Sequence, residues 1–267
     1  MKIFVTGAFG SLGSKLVPLL IEQGHKVVSL TRDECNLGRS DFGQIVLGDI
    51  RDLQTMAKVT RGCQVIIHAA ALKHVDHMEE FQTESIMTNL EGTKNILLAQ
   101  EVNNIDKVLF VSTDKAVRPI NNYGMCKALG EKLVLRNPNN VVCRYGNVFG
   151  SNGSLFKTLL ENLKATNTIK LTHEEMTRFF ITIEDAAKFV ASNLSSTGLN
   201  VPQMKSANIK EMMLDYAKFH GFDNPKIEII GIRAGEKIHE DLIFTNEQQI
   251  NSYNSERFTS DELRKFY

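Results

Sequence analysis

Apolar residues along this chain fall into short β-rich runs separated by stretches with helical spacing, and the alternation is regular up to residue 145. Residues 2–6 (KIFVT) make the first run. Residues 11–23 follow, with Leu12, Leu16, Leu19 and Leu20 on one helical face, and Gly24 ends that helix. Pro18 lies inside it and removes one hydrogen bond, but the glycine turn before it still demands a helix. Strands are then predicted at 25–30, 45–48, 64–70, 107–113 and 140–146. Helices are predicted at 53–59, 83–102 and 122–135, the long one with Ile86, Leu90, Thr93 and Leu97 on one face. Continuous Val/Ile/Leu runs belong to strands buried on both faces, hence to a parallel sheet. Strand–helix alternation at this spacing predicts an α/β, Rossmann-type doubly wound fold.

Beyond Gly150 the pattern loosens. Helices are expected at 154–164, 184–195 and 208–220, and short strands at 169–172, 199–202 and 226–230. The tail 245–267 is polar with little periodicity. The division predicted is a dinucleotide-binding region over 1–150 and a smaller, mostly substrate-binding region over 151–267, some of whose segments return to the first sheet. The substrate cleft is expected along that boundary.

Composition narrows the class. The chain has 267 residues, 42% of them hydrophobic, with 31 Lys+Arg against 31 Asp+Glu. That supports a large core and argues against extended disorder. No basic excess points to nucleic acid, and no apolar run approaches the roughly 18 residues of a membrane span. The first residues reach a glycine turn by Gly7, unlike a secretory signal. Cys35, Cys63, Cys126 and Cys143 lack ligand-like spacing and read as reduced thiols of a cytoplasmic protein. His74 and His77 flank Asp76, but no further ligand follows, so no metal is expected.

The candidate chemistry begins at TGAFGSLG (6–13), between the first strand and first helix. Gly7, Gly10 and Gly13 suit a tight turn and close backbone approach to a pyrophosphate at a helix N-terminus, so the turn from Phe9 through Ser11 and Leu12 is expected to hold a dinucleotide. The second strand exits as Leu30-Thr31-Arg32. Arg32 offers a guanidinium to a 2′-phosphate where an acidic residue would take a ribose hydroxyl, which favours NADP; a surface pair with Asp33 or Glu34 is the plainer reading. Asp49 and Ile50 could cap the adenine, and Asp49 could equally cap the helix before Leu53. Tyr123 and Lys127 form Tyr-x-x-x-Lys at the start of a helix, one turn apart on one face. A nearby cation lowers a phenol's pKa from its ordinary value of about 10, so Tyr123 could act as a base.

With STDKA (112–116), RYGNVFGSNGS (144–154), MTRFFIT (176–182) and GIRAGEKIHE (231–240) beside these motifs, the chain resembles inverting UDP-N-acetylglucosamine 4,6-dehydratases. These are the polysaccharide-biosynthesis branch of the extended short-chain dehydrogenase/reductases. GDIRD (48–52), HAAALKHV (68–75) and TN (88–89) fit too, and the likeness runs from Met1 to about Ile243. The resemblance implies Thr113, Tyr123 and Lys127 as the oxidising set, and Asp114 and Lys115 as the acid and base of an elimination. It implies Lys73, Asn147, Arg178, Arg233 and Glu236 as UDP-sugar contacts, and Ala69, Ala70, Ala71 and Asn89 on the cofactor side. It further implies a tightly bound, recycled NADP and a homo-oligomer. Retention of Tyr123 argues for a plain dehydratase over relatives that epimerise further. A 4-epimerase or reductase on the same scaffold, and a non-catalytic NADP-binding protein, are the competing readings.

Overall fold

A computed structural model describes residues 1–150 and 155–267; the SNGS end of one motif (151–154), including the predicted start of a helix, lies outside them. The elements in chain order are β1 (Lys2–Thr6), α1 (Gly13–Glu22), β2 (Lys26–Thr31), β3 (Gln44–Leu47), α2 (Leu53–Val59), β4 (Val65–His68), α3 (Val75–Glu80), α4 (Gln82–Ser85), α5 (Gly92–Val102), β5 (Lys107–Thr113), α6 (Asn122–Val134) and β6 (Val141–Tyr145). There follow β7 (Asn147–Phe149), α7 (Leu155–Thr166), β8 (Thr168–Leu171), β9 (Thr177–Thr182), α8 (Ile183–Ser192), β10 (Gly198–Asn200), β11 (Lys205–Asn208), α9 (Ile209–Phe219), β12 (Lys226–Ile229), β13 (Asp241–Phe244), β14 (Gln249–Asn251) and α10 (Ser260–Leu263).

Seven strands form one sheet in the order β10-β6-β5-β4-β1-β2-β3, each neighbouring pair parallel. The expected α/β Rossmann-type fold is therefore present. Strand alternation divides the core between the two faces. Ile3 and Val5 of β1 pack with Leu16 and Leu20 of α1 and Val190 of α8. Phe4, between them, packs with Ile66, Met56 and Ile96 on the other face. The chain order reverses between β1 and β4, which opens a crevice at their carboxyl ends. Pro18 is accommodated, and α1 runs unbroken over Gly13–Glu22.

A second core, around Phe149, Phe156, Phe180, Met212 and Tyr216, sits between α7, α9 and strands β7, β8 and β9. The polar tail with little periodicity contributes to it: Leu263 is buried there, and the Phe266 ring stacks on Phe149 with centroids 4.5 Å apart. Sparse aromatics in a polar stretch carry no periodicity, so their anchoring is not legible locally. The predicted helix over 83–102 is instead interrupted. A π-helical turn at Ile86–Glu91 separates α4 from α5, as π-turns often do near functional sites.

Candidate active site

A cavity of about 1180 Å³ runs from the glycine turn, past the ends of β2, β4 and β5, to Arg178 and the Met212 side of the second core. At the first end Gly7 takes φ +70°, and a side chain there would meet the Ala70 backbone nitrogen at 2.7 Å. A Cβ on Gly13 would meet the Ala8 and Gly7 carbonyl oxygens at 2.3 Å, so Gly13 serves helix–strand packing and does not line the cavity. Phe9, Gly10, Ser11 and Leu12 do line it, as do Ala69, Ala70, Ala71 and Lys73. No side chain caps the start of α1. Together these form a cradle of backbone open to an anionic group, the shape a dinucleotide pyrophosphate needs.

Arg32, Asp49 and Ile50 lie on the same wall. Asp49 does not cap α2; Asp52 does, accepting from the Gln54 and Thr55 amides at 2.9 and 3.3 Å. Asp49 accepts instead from Arg51 Nη2 at 2.8 Å, while Arg32 approaches it only to 3.8 Å. The Arg51 guanidinium outweighs the effect of partial burial and holds the Asp49 carboxyl below its ordinary range. Asp33 is occupied too, accepting from the Cys35 amide at 2.9 Å. The end of β2 thus presents a loosely held guanidinium, with Asp33 and Asp49 both occupied by other partners.

Asn89, buried in the π-turn, is not on the cavity wall. Its Oδ1 accepts from the Leu72 amide at 2.8 Å and its Nδ2 donates to the Leu72 carbonyl at 2.9 Å, so it clamps the loop that is the wall. Nearby His68 joins β4 to β1 and α5 through Thr6 and Thr93 hydroxyls at 2.7 and 3.1 Å. Burial pushes its imidazole down to about 3, so it is neutral.

At the centre, β5 ends in Thr113 and a 3₁₀ turn carries Asp114 and Lys115. A Cβ on Gly124 would come within 2.2 Å of the Lys115 carbonyl oxygen, so α6 starts directly against this turn. Thr113, Lys115, Tyr123 and Lys127 face the cavity, whereas Asp114 is fully buried behind them. Asp114 Oδ1 accepts from Thr113 Oγ1 at 2.9 Å and from Lys115 Nζ at 3.0 Å. Its Oδ2 has no hydrogen-bond partner among the described residues. Lys115 Nζ also donates to Asn147 Oδ1 at 3.1 Å. Burial works against the Lys115 charge, but Asp114 and Glu240 outweigh it and hold the ammonium above its ordinary pKa. Burial pushes the Tyr123 phenol up to about 12, against the pull of Lys115 and a hydrogen bond with Thr113. Lys115 is thus one cation that favours the phenolate. Lys127, which the sequence pairs with Tyr123, donates to the Val111 carbonyl at 2.8 Å, and burial pushes it down to about 8.

The two predicted arginines differ. Arg178 is buried, and its guanidinium donates to the Thr177, Ile238 and Lys237 carbonyls at 2.8, 3.0 and 2.7 Å. It reaches the cavity as a strut more than as a free clamp. Arg233 is exposed and pairs with Asp76 at 3.1 Å. Glu236 accepts the Arg233 backbone amide at 3.3 Å and lies 3.8 Å from Arg178 Nη2. Both Arg233 and Glu236 line the cavity. Sequence reasoning missed Glu240 and Lys237 behind Lys115, and the apolar far wall of Phe149, Phe180, Ile209 and Met213. Lys237 and Glu240 lie within the GIRAGEKIHE stretch that carries the resemblance, but nothing in its spacing marks their contact with Lys115, and no motif marks the apolar wall.

Residues 3–261 match the family described as polysaccharide biosynthesis protein. An inverting UDP-N-acetylglucosamine 4,6-dehydratase of Campylobacter jejuni is 34% identical over 93% of this chain and 79% of its own length. A UDP-glucose 4-epimerase of Rickettsia rickettsii is 30% identical over 99% of this chain and 81% of its own. The crystal structure of Pen from Bacillus thuringiensis superposes with a TM-score of 0.90 at 25% identity, covering 99% of this chain and 95% of that one. Among the described residues no helix is long and apolar enough to cross a membrane. With the glycine cradle, the Tyr-x-x-x-Lys helix and this likeness along nearly the whole length, the chain belongs to the polysaccharide biosynthesis protein family.

Proposed function

We propose that the protein is a nucleotide-sugar 4,6-dehydratase that turns UDP-N-acetylglucosamine into a 4-keto-6-deoxy sugar with inversion at C5, recycling NADP. The observation that carries this is the Asp114–Lys115 pair beside the Tyr123 set. Epimerisation or reduction at C4 needs only the Tyr123 set. Elimination of water across C5 and C6 also needs a base at C5 and an acid at O6. The cofactor side is read as 1–150 and the substrate side as mostly 151–267, with α8 and β10 returning to the first sheet.

The minor phenolate form of Tyr123, which Lys115 and the Thr113 hydrogen bond favour against burial, takes the O4 proton as C4 is oxidised. When bound, the dinucleotide supplies the acceptor, and later the donor, of the hydride exchanged with the sugar. The 4-ketone acidifies the C5 proton. Lys115 is charged at rest, so it first gives a proton to Asp114, 3.0 Å away. That one transfer makes a neutral amine to take the C5 proton and a carboxylic acid to protonate the departing O6 hydroxyl. Asp114 lies behind the wall, so its proton travels through Thr113 or Lys115, both bonded to Asp114 Oδ1. A new proton then arrives at C5 from the other face.

The test is incubation with UDP-N-acetylglucosamine in D₂O, followed by NMR. A 6-deoxy-4-keto product with deuterium at C5, and with the original C4 hydrogen in the C6 methyl, is the expected result. An epimer with an intact C6 hydroxyl would favour the second reading, a 4-epimerase, which the Rickettsia likeness keeps in play. The NADP assignment rests on Arg32. Arg32→Asp should weaken NADP about ten- to hundredfold, the worth of a charge-assisted contact, while NAD binding changes little. An unchanged NADP preference in fluorescence titrations would remove Arg32 from that role.

A further inference from the structure

The GIRAGEKIHE stretch ends in a carboxylate with no role so far. Glu240 is 2% exposed and is absent from the cavity wall. Its Oε1 lies 3.8 Å from Lys115 Nζ and its Oε2 3.3 Å from Lys237 Nζ. The surrounding segment is fastened to the 114–118 turn on both sides: Lys237 donates to the Val117 carbonyl at 2.7 Å, and Arg118 Nε to Asp241 Oδ2 at 3.0 Å. The Glu240 amide donates to Ser252 Oγ at 2.9 Å. Backbone and neighbours thus fix the segment, while the carboxylate itself is held by ion pairs, its Oε2 making no hydrogen bond among the described residues, and the Lys115 ammonium lies between Asp114 from its own turn and Glu240 from another segment. The remaining charged or titratable groups facing the cluster are Tyr123 from α6, Arg178 from β9 and Lys237. Asp241 is taken by Arg118, and His239 turns away to Thr177 Oγ1 at 2.9 Å.

We infer that Glu240 is a positioning residue that acts through Lys115, holding its ammonium in place and setting how readily it releases a proton, without touching the sugar. An anion this close favours the ammonium over the free amine, by about one to three pH units. Lys237 offsets part of that by drawing on the same carboxylate. The direction agrees with the net upward shift at Lys115, where burial alone would lower it. The catalytic meaning of this linkage rests on the reading of Lys115 as the C5 base.

The test is competitive labelling of the intact protein with trace acetic anhydride at mildly alkaline pH, read by mass spectrometry and normalised to the exposed Lys218. Below the pKa, the labelling rate tracks the neutral fraction of each amine. Glu240→Gln, nearly the same shape, should raise Lys115 labelling about tenfold or more. Lys237→Met should lower it severalfold, and Glu240→Asp should restore it towards wild type. In turnover, the pH at which product formation rises should move down in Glu240→Gln, a change that a merely structural role would not produce. Labelling within threefold of wild type in both folded variants overturns the inference, whatever the enzyme makes. If Glu240→Gln does not fold, Lys237→Met decides alone by the same threshold. Labelling that responds as expected, in a chain that makes no deoxy sugar, leaves the linkage standing and removes the dehydratase reading instead.

Discussion

Lys115→Met is expected to cut release of the dehydrated sugar by about 10²- to 10⁴-fold, the usual worth of a positioned base, while the bound dinucleotide is still partly reduced. The separation follows from the geometry. Tyr123, Thr113 and Lys127 remain on the cavity wall without Lys115, so the C4 oxidation keeps its groups but loses a cation that pulls the Tyr123 phenol down, which is why reduction is only partial. What is lost is the amine that takes the C5 proton and the donor that bonds Asp114. Methionine also removes a cation from between two buried carboxylates, so one of them should take up a proton. Tyr123→Phe should behave differently and lose most reduction of the cofactor as well. Absorbance of the reduced nicotinamide, followed beside product NMR, distinguishes the two variants. A Lys115→Met enzyme of near-normal rate would defeat the elimination mechanism and put the epimerase reading first.

The second large effect concerns stability. Glu131 of α6 and Arg144 of β6 form a nearly buried pair whose closest contact is 2.5 Å. Glu131 Oε1 also accepts from Ser112 Oγ at 2.5 Å and Arg144 Nε at 2.9 Å, and Arg144 Nη1 donates to the Leu242 carbonyl at 2.8 Å. The pair therefore ties α6, β5 and β6 to the segment that carries Glu240. Glu131→Leu leaves the guanidinium buried without its anion, and breaking such a pair costs about 3–5 kcal/mol. Glu131→Gln should cost less, because it can still accept hydrogen bonds. Urea unfolding of the three proteins checks both. A loss below about 1 kcal/mol in Glu131→Leu, as expected for an exposed pair, would contradict the burial argument. Ser112 precedes Thr113, so the Leu variant should lose activity as well as stability.

Several features are legible in the amino-acid sequence alone. Apolar runs such as 107–113 and the helix at 53–59 were readable because burial on both strand faces, or on one helical face, leaves a periodic mark in neighbouring residues. The glycine turn was readable because close backbone approach excludes side chains at fixed spacing. Tyr123 and Lys127 were readable because one helical turn brings them to one face. Their partners were not: Lys127 donates to the Val111 carbonyl, and Lys115 pulls on the Tyr123 phenol against burial. Asn89 reads as a site residue, yet only the fold reveals that it acts by clamping Leu72. Arg178 reads as a UDP-sugar contact, and only the fold shows that three of its donors go to the carbonyls of 177, 237 and 238. By itself the sequence determined the order of strands and helices up to residue 145, the glycine cradle and the spacing of the candidate reactive groups, because each depends on spacing within a few residues. Only the tertiary structure decided which charges meet in the dry interior around Lys115. Glu240 and Lys237 reach it by a return of the chain that no local period records, and in a desolvated cluster those distant neighbours set the protonation state.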